Sequence, residues 1–297
     1  MGGRGKTPLT ALVAQLLVEA GERPAILSRG YGRAFVDDGV TVVSDGHAAA
    51  DGGVDRSRLA DLAHSGDEPL MLARAVPGAA VLVCEQRALA GVLAENALGC
   101  TVHILDDGFQ HQALRRDVDV VLVAPEDFTA KVLPLGRLRE PADALAFADA
   151  VLIDGLWPQG QAGLAAMGIA PAFAGALTRT LAAPRPAVTR AGTVIAVAGI
   201  ATPSRFFDAL KGDGWSIAEA LSFKDHHEFT AADARRIGDA AARAGAAAVV
   251  TTSKDVIKLE TLGPWAVPLV EIPLEVTVES ANEFRTWLLG RLAAVRR

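Results

Sequence analysis

Gly2-Gly3-Arg4-Gly5-Lys6-Thr7-Pro8 opens the chain, and an apolar helical pattern over Thr10–Ala20 follows at once. Glycines let successive backbone N–H groups turn inward onto phosphate oxygens. The lysine reaches the β/γ-phosphates, the threonine hydroxyl ligates Mg²⁺, and the helix behind adds its positive end. The Gly-Lys-Thr core therefore points to a P-loop, with Gly2, Gly3, Gly5, Lys6 and Thr7 as the residues that grip a nucleotide. The full pattern also asks for a glycine five residues before Gly5, upstream of Met1, and for a strand feeding the loop. A short glycine-lysine segment at a terminus is otherwise more often disordered, and the helix directly behind it tips the reading toward phosphate.

Short apolar runs alternate with amphipathic stretches along the rest of the chain. Strands are predicted at Ala25–Ser28, Val40–Ser44, Ala80–Cys84, Val102–Leu105, Val118–Val123 and Val151–Ile153, with helices at Glu68–Ala75 and Arg87–Ala97 between them. A second series follows the Pro/Arg stretch Ala182–Arg190: strands at Thr193–Val197, Ala247–Thr252 and Pro268–Ile272, and helices at Pro203–Lys211, Ala231–Ala244 and Ala281–Ala294. Strands alternating with helices predict an α/β protein with largely parallel sheets covered on both faces. We expect two P-loop-like domains, residues 1–185 and a smaller one over residues 186–297.

A hydrophobic fraction of 51% with 22% charged residues is that of a globular protein, and 297 residues suffice for a large core. The net charge of -6 argues against nucleic acid as the main partner, since phosphate backbones reward dense Lys and Arg. Cys84 and Cys100 lie in apolar runs and read as buried, reduced thiols. No run approaches the roughly 18 apolar residues of a membrane span, so the chain reads as soluble or attached to a membrane surface.

Thr101-Val-His-Ile-Leu-Asp106-Asp107-Gly108-Phe109-Gln110-His111 is an apolar strand ending in two acids. A carboxylate at a strand tip holds Mg²⁺ or its water shell in P-loop enzymes, whereas a plain Asp-Gly turn is the bland alternative. Two adjacent carboxylates repel, which favours a cation nearby. Arg29-Gly-Tyr31-Gly32 is a turn after a strand. Leu133–Pro141 carries Arg137, Arg139 and Glu140 in a Pro-bounded loop suited to phosphate or to a surface ion pair. Asp67 in Gly66-Asp-Glu-Pro69 reads first as a helix cap. Lys224-Asp-His226-His227 is a polar loop or a base oriented by a carboxylate.

Taken together, the segments Gly-Gly-Arg-Gly-Lys-Thr-Pro, Ser-Arg-Gly-Tyr-Gly-Arg, Gly-Asp-Glu-Pro, Asp-Asp-Gly-Phe-Gln-His, Leu-Arg-Glu-Pro, Asp-His-His and Thr-Thr-Ser-Lys-Asp resemble the tetraacyldisaccharide 4'-kinase family of lipid A biosynthesis. They occur in the family's order, from residue 2 to about residue 259. The resemblance implies an ATP- and Mg²⁺-dependent kinase acting on the 4'-hydroxyl of a tetraacylated glucosamine disaccharide 1-phosphate, at the cytoplasmic face of the inner membrane. By carry-over, Lys6 holds phosphates and Thr7 holds Mg²⁺ together with Asp106, Asp107 being the alternative ligand. Asp107 belongs to the catalytic network, and Asp67 pairs with His226 as the base, His227 being the alternative. Tyr31, Arg139 and Glu140 lie on the sugar-phosphate side.

The chain departs from the family at Arg4, where a small hydroxyl residue is usual, and at Ser253, where an acid is usual. The family's hydrophobic N-terminal segment and first strand have no counterpart, so a mis-set start or a fragment is expected. Two other readings stay open: a non-catalytic P-loop nucleotide switch, and a P-loop transferase with a soluble substrate. Metal ligation by Asp225, His226 and His227 is disfavoured, because adjacent histidines point apart.

Overall fold

The computed structural model describes residues 5–35 and 39–296. Helix α1 (Lys6–Glu19) leads into strands β1 (Pro24–Ser28) and β2 (Thr41–Asp45). Next come α2 (Leu62–Ser65), α3 (Asp67–Ala75), β3 (Ala80–Val83), α4 (Arg87–Asn96) and β4 (Val102–Leu105). A second run follows, with β5 (Val120–Val123), β6 (Ala150–Asp154), α5 (Trp157–Ala166) and β7 (Phe173–Leu181). The third holds β8 (Thr193–Ala198), α6 (Pro203–Gly212), β9 (Ser216–Ser222), α7 (Ala231–Ala244), β10 (Ala248–Thr252), α8 (Ser253–Leu259) and β11 (Leu269–Ile272). The described chain closes with β12 (Leu274–Val278) and α9 (Ala281–Val295).

Three four-stranded sheets result, ordered β2-β3-β1-β4, β11-β10-β8-β9 and β12-β7-β6-β5. The middle one is wholly parallel; the other two each carry one antiparallel edge strand, β2 or β12. This is the expected α/β class, with mostly parallel sheets flanked by helices. Strand β1 shows why its sequence demands cover on both faces. Ala25 and Leu27 pack with Ala90 and Ala94 of α4, while Ile26 points the other way, onto Ala14 of α1 and Leu72 of α3.

Six elements were not anticipated: α2, α5, β7, α8, β9 and β12. Strand β9 is mostly exposed, so it lacks the apolar signature of a buried parallel strand. Strand β12 buries only Val276 and Val278, and its pairing with β7 depends on a partner far away in sequence. Helix α8 is short, but Thr252 caps it by accepting from the Asp255 N–H. Asp255 is fully buried and accepts a 2.8 Å bond from the Gly199 N–H, which fastens α8 to the loop beyond β8. Among the described residues, β4 and β5 each end a sheet, and both line one cleft of about 790 Å³ floored by Leu9 and Val13 of α1.

Candidate functional site

Helix α1 starts on Gly5, whose φ of 82° is the left-handed conformation glycine adopts without strain, and among the described residues no side chain caps its first turn. The leading N–H groups are therefore available to an anion at the positive end of the helix. Arg179 of β7 lies against Gly5 and pairs with Asp154. Lys6 and Thr7 are the first two residues of the helix. Gly2 and Gly3, like Arg4, lie outside the described residues.

Parallel pairing with β1 brings the carboxyl end of β4 beside the start of α1. Asp107 then turns at φ 52° and places its carboxylate between two cations, 2.6 Å from Lys6 Nζ and 2.6 Å from Arg139 Nη1. Burial pushes the Asp107 carboxyl up, but the Lys6 and Arg139 contacts outweigh it and hold it below the usual range. Asp106 points the other way, into the protein, and is 6% exposed. Thr10 Oγ1 donates to its Oδ1 at 3.1 Å. Burial, with the nearby charges of Glu68 and Asp107, pushes the Asp106 carboxyl up to about 6.

Asp67 is the first residue of α3 rather than its cap, which is Gly66. Although 159 residues apart in sequence, Asp67 Oδ2 and His226 Nδ1 lie 3.2 Å from each other. His226 adopts φ 56°, and this turn separates it from its neighbour. His227 faces Asp233 at 3.1 Å and packs between Phe223 and Phe229, so the two histidines serve different surroundings. Asp67 also receives Lys258 Nζ at 3.0 Å, and Lys254 Nζ sits 2.9 Å from His226 Nε2. Burial raises the Asp67 carboxyl, but Lys258, Lys254 and His226 together leave it below its ordinary value.

Tyr31 is exposed, held by a bond from Arg29 Nη1, and its backbone carbonyl packs against Gly66 beside Asp67. Arg139 and Glu140 line the cleft together with Lys6 and Asp107. The neighbouring Arg137 is directed instead to Asp127 and Glu126. Glu68 joins the two clusters, its charge acting on Asp106 while its carboxylate lies 3.9 Å from Lys254. Among the described residues, no group of three or more His, Cys, Asp or Glu side chains is arranged to hold a metal.

Sequence reasoning missed several residues here. Arg87 is 2% exposed and donates to the Asp106 carbonyl at 2.9 Å, yet one arginine at a helix start carries no signal. Lys254 and Lys258 had a signal that went unread. Their i, i+4 spacing puts two ammonium groups on one face of a helix.

The sequence profile of the tetraacyldisaccharide-1-P 4'-kinase family matches residues 1–293. The tetraacyldisaccharide 4'-kinase of Geobacter metallireducens is 39% identical, covering 87% of this chain and 76% of its own. That of Nitrobacter winogradskyi is 36% identical, covering 100% of this chain and 84% of its own. Among solved structures, LpxK from Aquifex aeolicus in complex with ATP matches with a TM-score of 0.73 at 27% identity, over 98% of this chain and 85% of that one.

Proposed function

Because the chain belongs to the tetraacyldisaccharide-1-P 4'-kinase family, we propose that it transfers the γ-phosphate of ATP to the 4'-hydroxyl of tetraacyldisaccharide 1-phosphate, the lipid A precursor. It is an ATP-dependent kinase. One observation carries the assignment of its base: a buried carboxylate and a histidine 159 residues apart meet within 3.2 Å.

The triphosphate lies on the uncapped start of α1 with Lys6, where backbone N–H groups and the ammonium neutralise it. Mg²⁺ fits the chemistry of two donors. The Asp106 carboxylate is buried with too little compensating charge, and the Thr7 hydroxyl adds a second hard oxygen. Thr7 and Asp106 would hold the ion, which supplies charge neutralisation at the phosphates. Asp107 orients Lys6 and Arg139 together. Arg139, Glu140 and Tyr31 receive the sugar-phosphate. His226 takes the proton of the 4'-hydroxyl, and Asp67 fixes the ring and stabilises the imidazolium formed.

The acyl chains of such a substrate sit in a bilayer, so we place the enzyme at the cytoplasmic face of the inner membrane, where ATP is available. Among the described residues no helix is long and apolar enough to cross a membrane. The 82% exposure of Leu135 and 80% of Phe147 supports contact with a lipid surface.

The test is ATP-dependent phosphorylation of tetraacyldisaccharide 1-phosphate by the wild type, Asp67→Asn and His226→Gln. Each variant should lose roughly 10²–10⁴ in turnover, the range for a missing general base. Full turnover in both variants would remove the acid–base assignment. A folded wild type that binds ATP and yields no product would turn the reading to a nucleotide switch.

A further inference from the structure

Two lysines of α8 converge on the Asp67–His226 pair, and they touch different atoms of it. Lys258 Nζ meets Asp67 Oδ2 at 3.0 Å and the His227 carbonyl at 3.2 Å. Lys254 Nζ meets His226 Nε2 at 2.9 Å and Asp225 Oδ1 at 3.2 Å. Both lysine side chains are nearly buried, at 13% and 12% exposure, so neither is a loose surface cation. Three anchors fix the helix that presents them: the Thr252 cap, the buried Asp255 and the bond from Gly199. These positions are built into the fold.

An ammonium has only protons to give, so at 2.9 Å it donates to the Nε2 lone pair. The ring proton must then sit on Nδ1, where it is donated to Asp67. Nε2 is the atom that accepts the hydroxyl proton in a base of this geometry, and in this structure it is occupied. We propose that Lys254 is a positioning residue of the kinase: its ammonium holds His226 as the unprotonated Nδ1–H tautomer, and the acceptor hydroxyl takes its place at Nε2. This rests on His226 being the base.

The exchange costs Lys254 little, because its next partners are already in place. Asp225 lies at 3.2 Å, Glu68 at 3.9 Å and Asp67 at 4.0 Å. The transfer balances without it. The hydroxyl oxygen bonds to the γ-phosphorus as its proton moves to Nε2. The bond from that phosphorus to the bridging oxygen breaks, and its electrons leave with ADP. Lys254 loses no proton.

Two charged groups touch the His226 ring, Asp67 of α3 at Nδ1 and Lys254 of α8 at Nε2; Glu68, Asp225 and Lys258 lie one contact further out, against Lys254 or Asp67. Among them, Lys254 is the cation whose nitrogen lies within bonding distance of the ring. Removing it takes away the donor that keeps Nε2 an acceptor, so the ring proton is no longer confined to Nδ1.

The experiment is kcat/KM for the wild type, Lys254→Met, Lys254→Arg and His226→Gln, with ¹⁵N NMR of the His226 ring in the wild type and both Lys254 variants. The expected results are an Nδ1–H ring in the wild type, mixed tautomers with a lower kcat/KM in Lys254→Met, and both restored in Lys254→Arg. A loss of kcat/KM in Lys254→Met with the ring still wholly Nδ1–H means a merely structural lysine and overturns the proposal. So does a wild-type ring protonated on Nε2, which needs no variant to fold. Full turnover in His226→Gln instead marks failure of the base assignment itself.

Discussion

Thr10→Val removes one proton donor from the buried Asp106 carboxylate while keeping the shape of the side chain. Thr10 is 9% exposed in α1, and its hydroxyl donates to Asp106 Oδ1 at 3.1 Å. A hydrogen bond to a charged group contributes about 1.5–3 kcal/mol, against about 0.5–1.5 kcal/mol for a neutral one. With its carboxyl pushed up to about 6, Asp106 is ionised at pH 8 and mostly neutral at pH 5. The valine variant should therefore lose about 2 kcal/mol at pH 8 and about 1 kcal/mol at pH 5. Because the folded-state value lies above the unfolded one, stability already falls as pH rises from about 4 to 6. Losing the donor raises the folded value further, so the variant's fall should be steeper.

Urea unfolding at the two pH values, with a chelator to keep the site metal-free, reads this directly. At a slope of about 3 kcal/mol per molar, the midpoint should drop by about 0.7 M at pH 8 and about 0.3 M at pH 5. Equal drops at both pH values would falsify the reasoning, since the bond would then be indifferent to the charge on Asp106.

Gly30 has φ 68°, and a Cβ there would meet Val83 Cγ1 at 2.2 Å. Gly30→Ala should cost about 3 kcal/mol from overpacking and backbone strain, seen as a lower Tm. Adding Val83→Ala should cost less than the sum of the single changes, and strict additivity would exclude the overlap as the cause. Arg296 binds Glu22 through two nitrogens at 2.6 and 2.8 Å and, with help from Thr101, lowers its carboxyl to about 2. That contribution is present above the ordinary glutamate value and is lost as pH falls toward 2. After discounting for solvent screening, Arg296→Ala should remove about 1 kcal/mol at pH 7 and almost nothing near pH 2. A loss independent of pH would point to packing instead.

The elements that carry the candidate site were legible where they follow local chain order. An apolar run ending in two acids was enough to find β4 with Asp106 and Asp107 at its tip, and glycine followed by Lys6 and Thr7 pointed to a helix directly behind, although α1 starts at Lys6 rather than at the expected Thr10. The boundaries of α7 were equally plain, because Thr230 and Asp233 cap each other and Gly245 ends the helix. Partners fixed by the tertiary fold were not legible. Which histidine meets Asp67 depends on the left-handed turn at His226, and two neighbouring letters do not encode it. Lys254 and Lys258 resemble the solvated face of a short helix until α3 packs against α8. Strand β12 was invisible for the same reason, its neighbour β7 lying about a hundred residues earlier.

That late strand has a bearing on how the protein is made. Leu9 of α1 is buried against Val276 and Val278 of β12 and Phe284 of α9, so the helix at the start of the chain is covered by residues near its end. On a ribosome adding about 5–20 residues per second, α1 waits roughly a quarter of a minute or longer for that cover. Until then its apolar side and the edge of β7 stay open to chaperones or to one another. A nascent chain that stalls before β12 emerges leaves α1 without this packing. Cover for this face of α1 is in this way tied to the emergence of β12 and α9.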